Sequence, residues 1–296
     1  MGASAKTAPQ LTQTVRWLMK KKKVLVCPFC GQSVKHNRDG QLVVHSFVMG
    51  EPYKLYQGDN LEIMRGLPSE TIDLIYIDPP YFSQRNYGDF DDRWKSMQHY
   101  LDFMVERLKE MHRLLKPTGS IYVHLDWHAV HYVKVEMDKI FNFQNEIIWS
   151  FGLGGSSPKR WSRKHNTILF YTKSNDYTFT PIMTPAKSNR LAGKNKKMDS
   201  VWLIPSINNM AKERIDYATQ KPNELMERII LASSNEGDLV ADFFCGSGSF
   251  IKKAFELGRR CIGCDMSPKA LALAHCPTQR AGDTATPSDN ATVLHK

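Results

Sequence analysis

The 296-residue chain contains no apolar run approaching the roughly 18–20 residues that a membrane-spanning helix requires. Near its start, Lys20, Lys21, Lys22 and Lys23 are followed by only Val24, Leu25 and Val26 before Cys27, too short an apolar stretch for a secretory leader. These absences lead to the expectation of a soluble, cytoplasmic protein that does not enter a membrane. No internal repeat is present, which excludes a solenoid or propeller built from copies of one unit. Cysteine is scarce. The six residues include two Cys-x-x-Cys pairs, Cys27/Cys30 and Cys261/Cys264. A cytosolic chain rarely uses that spacing for structural disulfides, so metal, redox chemistry and coincidence stay open.

What is present is an ordinary globular balance, 42% hydrophobic and 24% charged residues, enough for one large α/β domain with insertions or for two small domains. The formal net charge of +10 points to a polyanionic partner, and nucleic acid is the usual one.

Along the chain, residues 1–23 read as a basic disordered arm. Residues 24–49 read as a small hairpin unit carrying Cys27-Pro28-Phe29-Cys30, with a turn at Asn37-Arg38-Asp39-Gly40 and a second strand over 42–48. From residue 50 to about 280 strands and helices alternate. Strands are predicted over 72–77, 120–125, 167–172, 239–241 and 261–264, and helices over 100–115, 130–141, 223–233 and 250–257. Residues 173–216 read as polar and irregular, and 281–296 as a disordered tail. Alternating units of this kind imply an α/β fold, a Rossmann-like doubly wound and mostly parallel sheet whose ligands bind beyond the carboxyl ends of the strands.

Two motifs fall at such ends. The first runs from Asp242 to Gly248, a strand followed by a turn with Gly246 and Gly248 and then a helix start. Glycine lets the backbone approach a ligand. Asp265 closes the next strand, where a carboxylate can accept hydrogen bonds from a ribose diol. The third glycine of the dinucleotide fingerprint is missing, so an adenosyl ligand without phosphates fits better than a pyrophosphate.

The second motif is Asp78-Pro79-Pro80-Tyr81. An exocyclic aromatic amine is a poor nucleophile because its lone pair is delocalised into the ring. The Asp78 carboxylate and the Pro79 carbonyl can accept its two hydrogens and orient that lone pair. Pro79 and Pro80 stiffen the turn, and Tyr81 offers a face for a base taken out of the duplex.

The order of these blocks resembles the beta-class DNA amino-methyltransferases of restriction-modification systems, which include solitary enzymes and type III modification subunits. The resemblance covers about residues 53–274. It rests on Gly58-Asp59-Asn60, Asp78-Pro79-Pro80-Tyr81, Leu114-Leu115-Lys116-Pro117-Thr118-Gly119, His124-Leu125-Asp126-Trp127-His128, Lys164-His165-Asn166, Thr219-Gln220-Lys221-Pro222, the segment from Asp242 to Gly248, and Asp265. The catalytic block precedes the cofactor block, the circularly permuted order of that class.

The resemblance implies a class I S-adenosylmethionine-dependent methyltransferase fold. It implies direct in-line methyl transfer from S-adenosyl-L-methionine to adenine N6 in double-stranded DNA, with cytosine N4 as the alternative. It assigns catalysis to Asp78, Pro79, Pro80 and Tyr81. It assigns the cofactor to Asp59 and Asn60 near the adenine, Gln220 and Lys221 near the methionine part, and Asp242, Phe243, Phe244, Gly246, Gly248 and Asp265. The chain has no Pro-Cys dipeptide, which a cytosine-C5 enzyme would need. It departs from the family pattern in having Phe243 where Pro is usual, Ser249 for Thr or Ala, and Ala218 for Pro. None of these removes a charged or acceptor group. A homodimer and a cognate restriction nuclease are the further partners implied. A type III subunit is disfavoured, because the chain is short for the extra regions such subunits carry.

A basic insert over 151–212 is the expected DNA-recognition region, through Lys159, Arg160, Arg163, Lys164, Lys194, Lys196 and Lys197, with Arg85 on a mobile loop over 83–94. Cys27 and Cys30 resemble one knuckle of a zinc ribbon, with His36 or His45 as the only local partners, and Cys261/Cys264 read as small buried residues. His124, Asp126, His128 and His131 could suggest a metal cluster, but their match to the family implies a structural or active-site-wall role instead. Two rival functions remain at this point: an RNA or protein amide methyltransferase, and a non-catalytic DNA-binding protein that has kept a methyltransferase shell.

Overall fold

The computed structural model describes residues 35–36, 42–43, 53–88, 90–152, 156–186, 193–208, 211, 213–215 and 220–274, the first two pairs as backbone only. The Cys27/Cys30 unit, His45, the arm and the tail therefore lie outside the described residues.

The strands are β1 (Lys35–His36), β2 (Leu42–Val43), β3 (Tyr53–Gln57), β4 (Ile72–Ile77), β5 (Leu115–Leu125), β6 (Asn142–Ser150), β7 (His165–Thr172), β8 (Met183–Pro185), β9 (Asn195–Lys197), β10 (Val201–Leu203), β11 (Leu239–Asp242) and β12 (Arg260–Asp265). The helices are α1 (Asn60–Arg65), α2 (Met97–Leu114), α3 (Val130–Met137), α4 (Asn223–Ser233), α5 (Ser249–Glu256) and α6 (Pro268–Ala274). One sheet runs in the order β1-β2-β3-β12-β11-β4-β5-β7-β6-β10, while β8 and β9 pair separately. From β3 to β5 every pairing is parallel, and β7 runs antiparallel to both its neighbours. This is the expected doubly wound, mostly parallel sheet.

The central strands are apolar almost throughout because both faces are covered. Along β4, Leu74 and Tyr76 face one core with α4 and α5, while Ile75 and Ile77 face the other with α2 and α3. Along β7, Ile168 and Phe170 alternate in the same way with Leu169 and Tyr171. Each such side chain contributes about 1.5–3 kcal/mol when buried, so slipping a strand by one residue would exchange the two cores. Cys261 and Cys264 belong to opposite cores. They cannot share a metal or a disulfide, and each fills space as a small buried residue.

Several elements differ from the sequence expectation. β6 begins Asn-Phe-Gln-Asn-Glu, with an exposed first half and no apolar run to mark it. Residues 173–216, expected to be irregular, contain the β8–β9 hairpin and β10, which extends the main sheet by pairing Trp202 beside Trp149. Helix α3 stops at Met137, before the expected end at Phe141.

Candidate active site

The parallel strands deliver carboxylates to one end of the sheet. Asp78 follows β4, Asp242 closes β11, Asp265 closes β12, and Asp59 lies just past β3. They line a cavity of about 230 Å³ with Pro79, Pro80, Tyr81, Arg107, Lys221, Phe243, Phe244 and Gly246. The sequence-predicted residues Asp59, Asn60, Asp78, Pro79, Pro80, Tyr81, Lys221, Asp242, Phe243, Phe244, Gly246 and Asp265 thus meet in one place.

Each carboxylate is held differently. Asp59 caps α1 by accepting from Leu61 N at 2.7 Å and is gripped by Arg107 Nη2 at 2.9 and 3.1 Å. Arg107 is nearly buried, donates from Nε to Asn60 Oδ1 at 2.6 Å and lies 3.5 Å over the Phe103 ring. Asn60 in turn donates to the Phe243 carbonyl at 2.7 Å, tying α1 to the glycine loop. Asp265 accepts from Gly246 N at 2.9 Å and Ser267 N at 2.8 Å. Asp242 is almost fully buried and accepts from Phe244 N; burial pushes its carboxyl well above the usual carboxylate range. Asp78 accepts from the Tyr81 hydroxyl on one oxygen and from the Lys221 ammonium on the other.

Two expected cofactor residues stand apart from the cavity wall. The Gln220 side chain is engaged with its own loop, donating to the Glu213 carbonyl and accepting from Ile215 N. Gly248 caps α5 at φ 76°, and a Cβ there would come within 2.5 Å of the Ala274 Cβ. Its role is close packing of the loop against α6.

Behind Tyr81 lies His124, wholly buried. Its ring is 6.2 Å from that of Tyr81 and 5.3 Å from that of Trp149. Asn166 Nδ2 donates to its Nε2 at 3.1 Å, which leaves the proton on Nδ1 toward the Tyr76 hydroxyl at 2.9 Å. Burial pushes the imidazole down to about 3, so the ring is neutral. Burial and the Asp78 charge push the Tyr81 phenol well up, so it stays a donor.

Asp92 was not singled out from the sequence. Its buried carboxylate accepts from Tyr81 N at 3.2 Å, Phe82 N at 3.0 Å, Ser83 N at 2.7 Å and Trp94 Nε1 at 2.9 Å. The loop expected to be mobile is thus bonded to the turn that carries the tetrapeptide. Phe82, just before it, and Gln84 within it take positive φ, at 62° and 60°. No sequence pattern distinguishes Asp92 from its acidic neighbour Asp91, which is exposed and pairs with Arg93. Arg107 was missed for a similar reason: its partners lie far away in sequence.

The expected DNA residues separate into two groups. Lys159, Arg160, Arg163 and Lys164 lie just before β7, whose start adjoins the end of β5 and so borders the site. Arg163 sits 3.6 Å over the Trp127 ring, and Lys164 donates to the Gly152 carbonyl. Arg85 is exposed on the loop above the cavity. Lys194, Lys196 and Lys197 belong instead to the β8–β9 hairpin, whose base bonds to the C-terminal end of α4 through Thr180 N and the Ala232 carbonyl. A helix that runs back from the carboxyl ends of the strands finishes at the opposite end of the sheet, so the structure does not unite the two groups.

Among the described residues, five carboxylates but two cations line the cavity, in a chain whose net charge is +10. An acidic pocket disfavours phosphates and fits a sulfonium cation. Phe103, Phe244 and Met266 add an apolar wall beside Asp59 and Asp265 for a planar group. These residues fit S-adenosyl-L-methionine, the cofactor of this protein.

Residues 72–275 match the family model described as DNA methylase (N6_N4_Mtase). Type II methyltransferase M.HpaI of Haemophilus parainfluenzae is 35% identical over 230 residues, covering 75% of this chain and 72% of the relative. DNA adenine methyltransferase YhdJ of Escherichia coli is 31% identical over 240 residues, covering 75% and 81%. Among solved structures, the cytosine-N4-specific PvuII DNA methyltransferase aligns with a TM-score of 0.59 at 20% identity, over 76% of this chain and 85% of that one. The M1.HpyAVI–SAM complex aligns with a TM-score of 0.52 at 21% identity, over 75% and 98%. The chain belongs to the DNA methylase family, the S-adenosylmethionine-dependent amino-methyltransferases of adenine N6 and cytosine N4.

Proposed function

We propose that the target is adenine N6 in double-stranded DNA and that Asp78 is the group that activates it. The observation carrying this reading is the Asp78 carboxylate, set by β4 at the cavity edge, with Tyr81 on one oxygen and Lys221 on the other. The acidic first position of the tetrapeptide and the adenine enzyme among the relatives both support adenine.

The cofactor, when bound, supplies an electrophilic methyl group; Asp59, Asn60, Asp242, Phe243, Phe244, Gly246 and Asp265 hold it. The chain's own residues do the rest. Asp78 and the Pro79 carbonyl accept the two amine hydrogens and turn the lone pair outward. The rigid Pro79-Pro80 turn fixes that geometry in advance, which lowers the cost of reaching the reactive arrangement. Tyr81 stacks on the extruded base. Neutral His124 backs the tyrosine without adding a positive charge where a cationic methyl donor must sit. The proton lost from the amine passes toward Asp78 and then to solvent.

Lys159, Arg160, Arg163, Lys164 and Arg85 are the proposed phosphate contacts, being on the site side of the sheet. A homodimer is proposed too, supported by apolar side chains exposed on α3 and β6, among them Tyr132, Val135 and Phe143. A cognate nuclease is proposed on the family resemblance, and a cytoplasmic location on the expectation drawn from the sequence. The composition and periodicity of the chain support its division into an arm (1–23), a small unit (24–49), a catalytic domain (50–280) with the DNA-recognition insert over 151–212, and a tail (281–296).

The test is methyl transfer from labelled S-adenosylmethionine to unmethylated plasmid DNA, followed by nucleoside digestion and mass identification. N6-methyladenine is the expected product; N4-methylcytosine would overturn the choice of base.

A further inference from the structure

Trp161 is the most exposed large hydrophobic residue among those described, at 95%. It makes no hydrogen bond or ring contact with a described residue. An indole left wholly in water forgoes a large burial gain, so a fixed position for it needs a partner.

The surroundings indicate which partner. Trp161 lies between Arg160 and Arg163 on the segment that enters β7. That segment is anchored on the catalytic side at three points. The Arg163 guanidinium packs on Trp127, just past the end of β5. The Lys164 carbonyl accepts from Phe151 N. Asn166 bonds His124, the ring behind Tyr81. Trp161 is therefore an exposed aromatic face, flanked in sequence by cations, on a segment anchored at the catalytic side of the sheet. Cations that can bind phosphates with an exposed ring between them form a platform for a nucleobase.

We infer that Trp161 stacks on a base of the DNA next to the extruded target, filling or wedging open the gap that extrusion leaves. This rests on the DNA-methyltransferase reading and adds a positioning residue to it. Stacking would offset part of the unstacking cost, which a paired target incurs and an unpaired one largely does not.

The experiment compares initial methylation rates on one unmethylated plasmid, native and heat-denatured, for wild type, Trp161→Ala and Trp161→Phe. We expect Trp161→Ala to lose about tenfold or more on native duplex while staying within about twofold on denatured DNA, and Trp161→Phe to keep most of the duplex rate. Equal loss on both forms, or no loss on either, would overturn the inference; the second result would point to a protein partner for the indole. A second readout does not depend on turnover. Duplex DNA should quench the Trp161 share of the emission, obtained as wild type minus Trp161→Phe, and an unchanged difference spectrum would also count against stacking. Failure of wild type to methylate any DNA would defeat the methyltransferase reading instead, while quenching would still report on Trp161.

Discussion

Lys221 and Asp78, 143 residues apart in sequence, form an ion pair at the edge of the cavity, the ammonium on one carboxylate oxygen and the Tyr81 hydroxyl on the other. Both side chains are largely buried, at 12% and 17% exposure. The resemblance assigned Lys221 to the methionine part of the cofactor. The structure shows it engaging the Asp78 carboxylate, so under the proposed mechanism one residue links the two halves of the site. Lys221→Met should remove that link while keeping most of the length of the side chain. The expected result is a fall in kcat of about a hundredfold, the scale of losing one preorganised charged contact, together with weaker cofactor binding by titration calorimetry. Unchanged kcat with weakened cofactor binding would restrict Lys221 to the cofactor.

Asp92 holds the turn bearing Tyr81 by accepting three consecutive backbone N–H groups. It is a positioning residue. Asp92→Ala leaves those donors without their acceptor, and Tyr81 loses its fixed place. Misplacement of a reacting geometry by about 1 Å can cost roughly a hundredfold, so kcat should drop on that scale. Crystallography or 19F NMR of a fluorotyrosine at Tyr81 should show the ring displaced. A variant with lowered melting temperature, normal kcat and an undisturbed Tyr81 would mark Asp92 as structural only.

His124 gives a stability signature with a definite sign. Burial pushes its imidazole from the ordinary 6.5 down to about 3 in the folded protein. The unfolded chain therefore binds more protons between these values, and stability falls as pH drops from 6.5 toward 3. Above 6.5 the contribution is fully present. The slope from one such group is up to about 1.4 kcal/mol per pH unit. Urea denaturation of wild type and His124→Gln between pH 4.5 and 8 should show a smaller loss on the acid side for the variant. Parallel curves would mean that His124 titrates alike in the folded and unfolded chain, against its burial as a neutral ring.

How much of this was legible depended on whether a signal was local. The tetrapeptide and the Gly246/Gly248 loop could be placed at strand ends because the apolar runs of β4 and β11 stop there. Helix α4 was read to its last residue because Leu225, Met226, Ile229 and Ile230 all face one core. β6 was not read, because half of it is polar at the sheet edge. Arg107 and Asp92 looked like ordinary surface charges, and only the fold, by bringing distant groups together, explains their burial. The basic insert reads as one region because composition carries no direction; β7 crosses the sheet and sends its two ends to opposite sides.

The central claim is that Asp78 activates the amine in a site that holds the cofactor independently. The most direct measurement pairs methyl transfer to DNA with cofactor binding in Asp78→Ala. The account expects transfer to fall by about a thousandfold or more, as when a group acting only in the transition state is lost, with S-adenosylmethionine still bound at near wild-type affinity. Methyl transfer that survives Asp78→Ala in a folded, cofactor-binding protein would contradict it.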